Sequence, residues 1–333
     1  MFVWTDLSTF DFAEARRFYA ATLGWDYAAL ADDYVVGHAG QEPAAGLYPM
    51  PERFQQIGMP SFWMSYIRVA DIEATVQAAE VHGGRIEVRP QEAPGGGRVA
   101  LIRDPAGAGF TCYEGDQLAT SQQLRHGLPV WHELHVSSLE RVQAFYGHVF
   151  GWTLRATATP DRHEWVSEDG AVIAGVRVTP NEVKGDKEYW GVYFAVDDLD
   201  QATKRIERAG GQVVASERVG EQEARLAYDT QEAAFYVIER AGARTSTTGK
   251  RTATDRDVKW KAVLGLILVA VAVLFSLDWV WGVLFLLWAL ADVRLGATHF
   301  IEVVERRRNP VVFWLIVGTW VSLAAYVLLA GWD

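Results

Sequence analysis

The chain has 333 residues, half of them hydrophobic, a formal net charge of −11 and one cysteine, Cys112. That length allows two or three domains with ordinary cores, while a lone cysteine excludes an internal disulfide and suits a reducing compartment. Residues 1–240 carry 21 Lys/Arg against 35 Asp/Glu, a net of −14, which excludes the basic face that nucleic acid requires.

Met1 leads straight into a strand pattern, with neither the basic region nor the apolar run of a signal peptide. Phe2 to Leu7 alternates apolar and polar residues, as a half-buried strand does. Asp11 is placed to cap a helix whose apolar residues recur at Phe12, Ala15, Phe18, Tyr19 and Leu23 until Gly24 stops it. Short strands follow over residues 27–50, then a longer one from Ser61 to Val69. Asp71 caps a second helix, Ile72 to His82, which Gly83 and Gly84 end. Turn signals at Pro94-Gly95-Gly96-Gly97 and Asp104-Pro105-Ala106-Gly107 separate the last strands.

The same order then recurs. Trp4 matches Trp131, Asp6 matches Glu133, Phe18-Tyr19 matches Phe145-Tyr146 and Gly24-Trp25 matches Gly151-Trp152, each pair 127 residues apart. Val69 and Gly83 match Val196 and Gly210 at the same interval, and a hairpin length change brings Asp104 against Asp229. A fixed period over this many positions marks a duplicated unit. Helices on one face of largely antiparallel strands make each unit α+β.

These motifs carry a family resemblance over roughly residues 1–240. FYAATLGW and FYGHVFGW, VADIEATVQAAEVHGGRI and VDDLDQATKRIERAGGQV, and the DPAGAGF turn resemble the vicinal oxygen chelate superfamily, which includes glyoxalase I, bleomycin-resistance proteins and extradiol dioxygenases. The resemblance implies two tandem units, 1–118 and 128–240, each of paired βαβββ modules curled around a ligand-sized cleft. Family enzymes hold a divalent metal at four places per unit. By resemblance these fall at Trp4, about Gly46, Met64 and Thr111, then at Trp131, about Gly175, Gly191 and Tyr236. None of the eight is an imidazole, carboxylate or thiolate, so neither a metal nor another cofactor is expected.

Side chains of the same parity should line what remains: Trp4, Asp6, Ser8, Met64, Tyr66, Arg68, Thr111 and Tyr113 in the first unit, and Trp131, Glu133, His135, Tyr193 and Tyr236 in the second. An aromatic lining with a few polar groups suits a planar or amphipathic small molecule; equally, the tryptophans could fill the old metal cavity as core. Glu133 beside His135 is a candidate acid–base pair. His132 and His135, three apart on a strand, should point to opposite faces and so not share a metal. Cys112 lies in an apolar strand and reads as inert packing.

Residues 241–257 are small, polar and charged, the composition of a flexible linker. Beyond them the chain turns apolar, with runs at about 260–277, 279–297 and 311–330 that lack a polar face. These runs predict an all-α transmembrane region over 258–333. Lys250, Arg251, Arg256, Lys259 and Lys261 before the first run, and Arg306-Arg307-Arg308 before the third, would put both basic clusters on one side. The expectation is therefore a multi-pass cell-membrane protein with the duplicated units cytoplasmic and the segment 293–308 along the inner surface. The partners expected are a small organic ligand and the lipid bilayer, with no nucleic acid. Three functions stay open: metal-free ligand binding, a lyase, isomerase or oxygenase, and a degenerate scaffold for a membrane-protein partner or a second copy.

Overall fold

A computed structural model describes residues 1–56, 58–119, 125–239, 285, 297–299, 303–305 and 310–330. The chain divides into two compact bodies, Met1–Ser246 and Thr247–Asp333.

The first body contains both repeats. Repeat one runs β1 (Phe2–Thr9), α1 (Phe12–Leu23), β2 (Asp26–Ala31), β3 (Tyr34–Ala39), β4 (Glu42–Pro49), a short α2 (Glu52–Gln56), β5 (Phe62–Arg68), α3 (Ile72–Val81), β6 (Arg85–Glu92), β7 (Arg98–Arg103) and β8 (Gly109–Glu114). Repeat two runs β9 (Pro129–Val136), α4 (Glu140–Phe150), β10 (Thr153–Ala156), β11 (Arg162–Val166), β12 (Val172–Val178), a short α5 (Asn181–Lys184), β13 (Tyr189–Val196), α6 (Leu199–Arg208), β14 (Gln212–Val219), β15 (Gln222–Tyr228) and β16 (Ala234–Glu239). The caps act as the sequence suggests: the carboxylates of Asp11 and Asp71 accept from Glu14 and Ala74 N–H at 2.9 Å, and in repeat two that of Asp198 accepts from Gln201 N–H at 2.8 Å.

Each repeat forms an eight-stranded mixed sheet. The orders are β2-β3-β4-β1-β5-β8-β7-β6 and β10-β11-β12-β9-β13-β16-β15-β14, identical once the duplication is allowed for. β1 lies antiparallel to β5 and parallel to β4, and β5 parallel to β8, so the first strands of the two βαβββ modules meet at the sheet centre. β1 is buried along its whole length rather than on alternate residues. One face is turned to its own sheet's concavity, the other is covered by helices and the second repeat.

That covering forms two apolar cores, each built from both repeats. One joins Leu7, Phe18 and Tyr19 to Phe194, Ile206 and Phe235; the other joins Ile67, Ile72 and Phe110 to Phe145, Tyr146 and Trp190. Polar pins cross between repeats in matching pairs. Trp63 Nε1 donates to Tyr19 OH at 3.0 Å, and Tyr19 OH donates to Asp229 at 3.0 Å. Trp190 Nε1 donates to Tyr146 OH at 2.9 Å, and Tyr146 OH donates to Asp104 at 3.0 Å. Both aspartates also accept from backbone N–H groups of their own turns, which satisfies carboxylates that would otherwise be costly to bury.

In the second body, β17 (Ala297–His299) and β18 (Val303–Glu305) form an antiparallel pair, followed by α7 (Pro310–Ala330). This corrects the tail on two counts. Strands fall where an all-α region was expected, and no helix among the described residues is long and apolar enough to cross a membrane. In α7, Gly318, Thr319, Ser322 and Tyr326 interrupt the apolar residues. The multi-pass cell-membrane placement and the cytoplasmic side deduced from it are therefore overturned. The linker 241–257, the run at 260–277 and nearly all of that at 279–297 lie outside the described residues.

Candidate functional site

Pairing register brings the expected lining residues of repeat one together. Trp4 stands opposite Tyr66, Asp6 opposite Met64 and Gly46, and Tyr66 opposite Thr111. Asp6 is enclosed: its Oδ1 accepts from Trp4 Nε1 at 2.8 Å and from Tyr34 OH at 2.6 Å, and its Oδ2 accepts a short hydrogen bond from Tyr66 OH. Burial pushes the Asp6 carboxyl up to about 6, and the Tyr34, Tyr66 and Trp4 hydrogen bonds pull it partly back. Trp4, Tyr34 and Tyr113 form an apolar cluster around this group, with Tyr48, Tyr66 and Val99 packed against it. Tyr34, which closes the cage, was not singled out from sequence; it comes from β3, and only the fold brings it to Asp6.

The glycines explain why no further ligand stands here. A Cβ on Gly46 would fall 1.9 Å from Tyr34 OH and 2.2 Å from Asp6 Oδ1. One on Gly175, which faces Glu133 in the second sheet, would fall 2.8 Å from Glu133 Oε1. The space a family ligand would use is taken by the carboxylate and its donors. Among the described residues no three of His, Cys, Asp and Glu group closely enough to hold a metal ion. This donor set does not fit a divalent metal.

Repeat two builds a charged version of the same concavity. Glu133 accepts a short charge-assisted bond from Arg162 at Oε1 and a 2.7 Å bond from Tyr193 OH at Oε2. Arg162 continues to Glu217, Nη2 to Oε2 3.1 Å, and Arg177 joins Glu217 to Asp161. Tyr193 OH also lies 2.7 Å from Glu217 Oε1. Tyr193 and Tyr236 stack at 4.2 Å between ring centres, and His135 lies parallel to both Tyr189 and Tyr236. Burial raises the Glu133 pKa, which Arg162 counteracts. Burial, followed by Arg177 and Arg162, holds His135 well below the ordinary imidazole range and therefore neutral. His135 Nε2 is 3.6 Å from Glu133 Oε2, too far for a hydrogen bond. Arg162, Arg177 and Glu217 were missed because each sits singly on a short strand, far in sequence from Glu133.

His132 turns to the other face, as strand alternation requires. Its ring stacks on Phe2 at 4.3 Å and its Nδ1 lies 2.9 Å from Ser65 Oγ. Burial lowers its pKa to about 3, so it is a neutral residue of the contact between repeats. Burial likewise pushes the Cys112 thiol up, which keeps it protonated and unreactive.

A cleft of about 240 Å³ lies where the repeats meet. Met64, Trp63, Tyr189, Trp190 and Tyr228 wall it, with Arg103 and Lys187 among its polar groups. Also in its lining, Lys184 pairs with Glu188 at 3.0 Å, and Glu188 accepts from Ser137 Oγ at 2.5 Å. Of the lining residues expected from sequence, only Met64 reaches this cleft.

The geometry agrees with what this chain resembles. Residues 2–111 match the family profile of the Glyoxalase/Bleomycin resistance protein/Dioxygenase superfamily, and residues 133–238 match that of a glyoxalase-like domain. The "Putative glyoxylase CFP32" of Mycobacterium tuberculosis is 31% identical over 223 residues, spanning 64% of this chain and 83% of that protein. The anthracycline biosynthesis protein DnrV of Streptomyces peucetius is 27% identical over 228 residues, spanning 63% and 82%. Among solved structures, the Mn(II)-bound glyoxalase of Novosphingobium aromaticivorans superposes with a TM-score of 0.52 at 15% identity, covering 72% of this chain and 81% of that one; this likeness is one of fold. The duplicated sheets, the matching profiles and the relative at 31% identity make the chain a tandem two-repeat member of the glyoxalase/bleomycin resistance protein/dioxygenase superfamily.

Proposed function

We propose that the chain binds a small planar organic molecule in the cleft between its repeats, without a metal. The observation that carries this reading is the contrast between the two kinds of concavity. Trp4, Glu133, Tyr193 and Tyr236 are at most 2% exposed, whereas the inter-repeat cleft keeps about 240 Å³ between aromatic walls. Its polar groups, Arg103 and Lys187 with Glu188 and Glu232, can orient a ligand that carries hydroxyl or carbonyl groups at its edge. The anthracycline-biosynthesis names of two relatives support a fused-ring ligand. Cation and aromatic walls need not move far to hold such a ring.

The test is a titration with 1,4-dihydroxyanthraquinone followed by tryptophan fluorescence, since Trp63 and Trp190 border the cleft. Quenching that saturates is expected for the unmodified chain. Met64→Trp, which fills the cleft, should weaken binding by about tenfold or more, a loss of roughly 1.4 kcal/mol. Saturable quenching unaffected by Met64→Trp would place the ligand elsewhere.

A further inference from the structure

We propose that the concavity of repeat two is a second site, one for small carboxylates, which the chain's own Glu217 now occupies. None of its donors lines the inter-repeat cleft.

The first support is how Glu217 is held. Both carboxylate oxygens are engaged from three strands. Tyr193 of β13 lies 2.7 Å from Oε1, Arg162 of β11 lies 3.1 Å from Oε2, and Arg177 of β12 makes a short bond to the same oxygen. Two guanidinium groups and a phenol converging on one carboxylate form the donor set that a bound carboxylate ligand would use. The strand that supplies Glu217 is the least buried part of the arrangement. β14 is the sheet edge, pairs only with β15 through an irregular register, and has Val214, Ala215 and Ser216 exposed.

The second support is a surplus of donors. Arg162 Nη2, for all its proximity to Glu217, lacks the alignment of a hydrogen bond, and Trp131 Nε1 has no hydrogen-bond partner either. Arg162 is 6% exposed. Buried donors are seldom left unmet, so the concavity offers more hydrogen bonds than Glu217 and Glu133 accept.

The third support is the comparison with repeat one. There Asp6, the counterpart of Glu133, is satisfied by the neutral donors Trp4, Tyr34 and Tyr66 and surrounded by apolar residues. The fold can therefore close this concavity without arginines. Placing two arginines inside repeat two carries a desolvation cost that the apolar solution avoids, and binding an anion gives those arginines a use. With Tyr193 and Tyr236 stacked alongside, the ligand is a monocarboxylate with a small aromatic or apolar body.

If Glu217 is an internal competitor, removing its charge must improve binding. Benzoate titrated calorimetrically into the unmodified chain, Glu217→Gln and Glu217→Gln/Arg177→Gln makes the test. Glu217→Gln should bind benzoate about tenfold more tightly than the unmodified chain, because the site no longer spends its time self-occupied. The double variant should lose that gain, benzyl alcohol should show none, and Met64→Trp should leave benzoate binding unchanged. Should Glu217→Gln fold poorly, Glu217→Asp keeps the charge but shortens the reach and should give a smaller gain of the same sign. Benzoate affinity unchanged or weakened in a folded Glu217 variant overturns the proposal, as does a gain that survives Arg177→Gln.

Discussion

Asp6 sits deep in repeat one with three donors around it, yet burial still lifts its pKa to about 6, above its ordinary value of 3.8. The folded chain therefore takes up this proton before the unfolded chain does. The stability so conferred is full below pH 3.8 and is lost as pH rises through about 6. Asp6→Asn, which cannot ionise, should escape that loss. Between pH 4 and 7 its urea-unfolding free energy should gain on that of the unmodified chain by about 2 kcal/mol. Asp104, also raised to about 6 by burial, keeps a falling trend in both proteins, so the difference between the curves is the quantity to read. Parallel curves would mean that the cage stabilises the ionised form fully. At this scale the sequence was legible wherever strand alternation decides: it set His132 and His135 on opposite faces and Trp4 and Asp6 on one. It was silent on Tyr34, Arg162 and Glu217, whose partners are fixed by sheet curvature rather than by local pattern.

The helices and turns carry the motifs by which the family was recognised, and the structure gives those motifs a mechanical purpose. The Phe-Tyr pair of each first helix reaches the other repeat, where the tyrosine meets the aspartate of the Asp-Pro-Ala-Gly turn or its counterpart. The double glycine after each second helix receives the phenylalanine. A Cβ on Gly84 would fall 2.8 Å from Phe145, and one on Gly211 would fall 2.8 Å from Phe18 and 2.6 Å from the Tyr228 carbonyl. Gly211→Ala should therefore destabilise the chain by about 1–3 kcal/mol through overpacking, measurable as a lowered urea midpoint. Tyr19→Phe and Tyr146→Phe should each cost about 1–3 kcal/mol, because each strands a buried carboxylate and an indole N–H. Near-equal losses are expected from the matching geometry; a silent Tyr146→Phe beside a damaging Tyr19→Phe would refute it. The motifs were visible in the sequence but their pairing was not, since Tyr19 and Asp229 are 210 residues apart.

Duplication also decides how the first body folds as a whole. One sheet is built from β1–β8 and the other from β9–β16, but the apolar cores draw on both sets. Leu7, Phe18 and Tyr19 are buried against Phe194 and Phe235, and Phe110 against Phe145 and Tyr146. A repeat removed from its partner would expose one whole face of its central strands and both helices, an apolar surface larger than a stable monomer carries. The membrane assignment failed at this same scale, where hydrophobic runs were read without the elements they form. Residues 1–118 expressed alone should therefore be unfolded, aggregated, or paired with a second copy standing in for repeat two. In the full chain, tryptophan fluorescence and far-ultraviolet circular dichroism should report one coincident unfolding transition for both repeats. Sedimentation equilibrium of residues 1–118 settles the matter: a monomer with cooperative unfolding would show that each repeat holds a sufficient core of its own. A dimer would show instead that the contact between repeats is the interface of an ancestral pair, now joined in one chain.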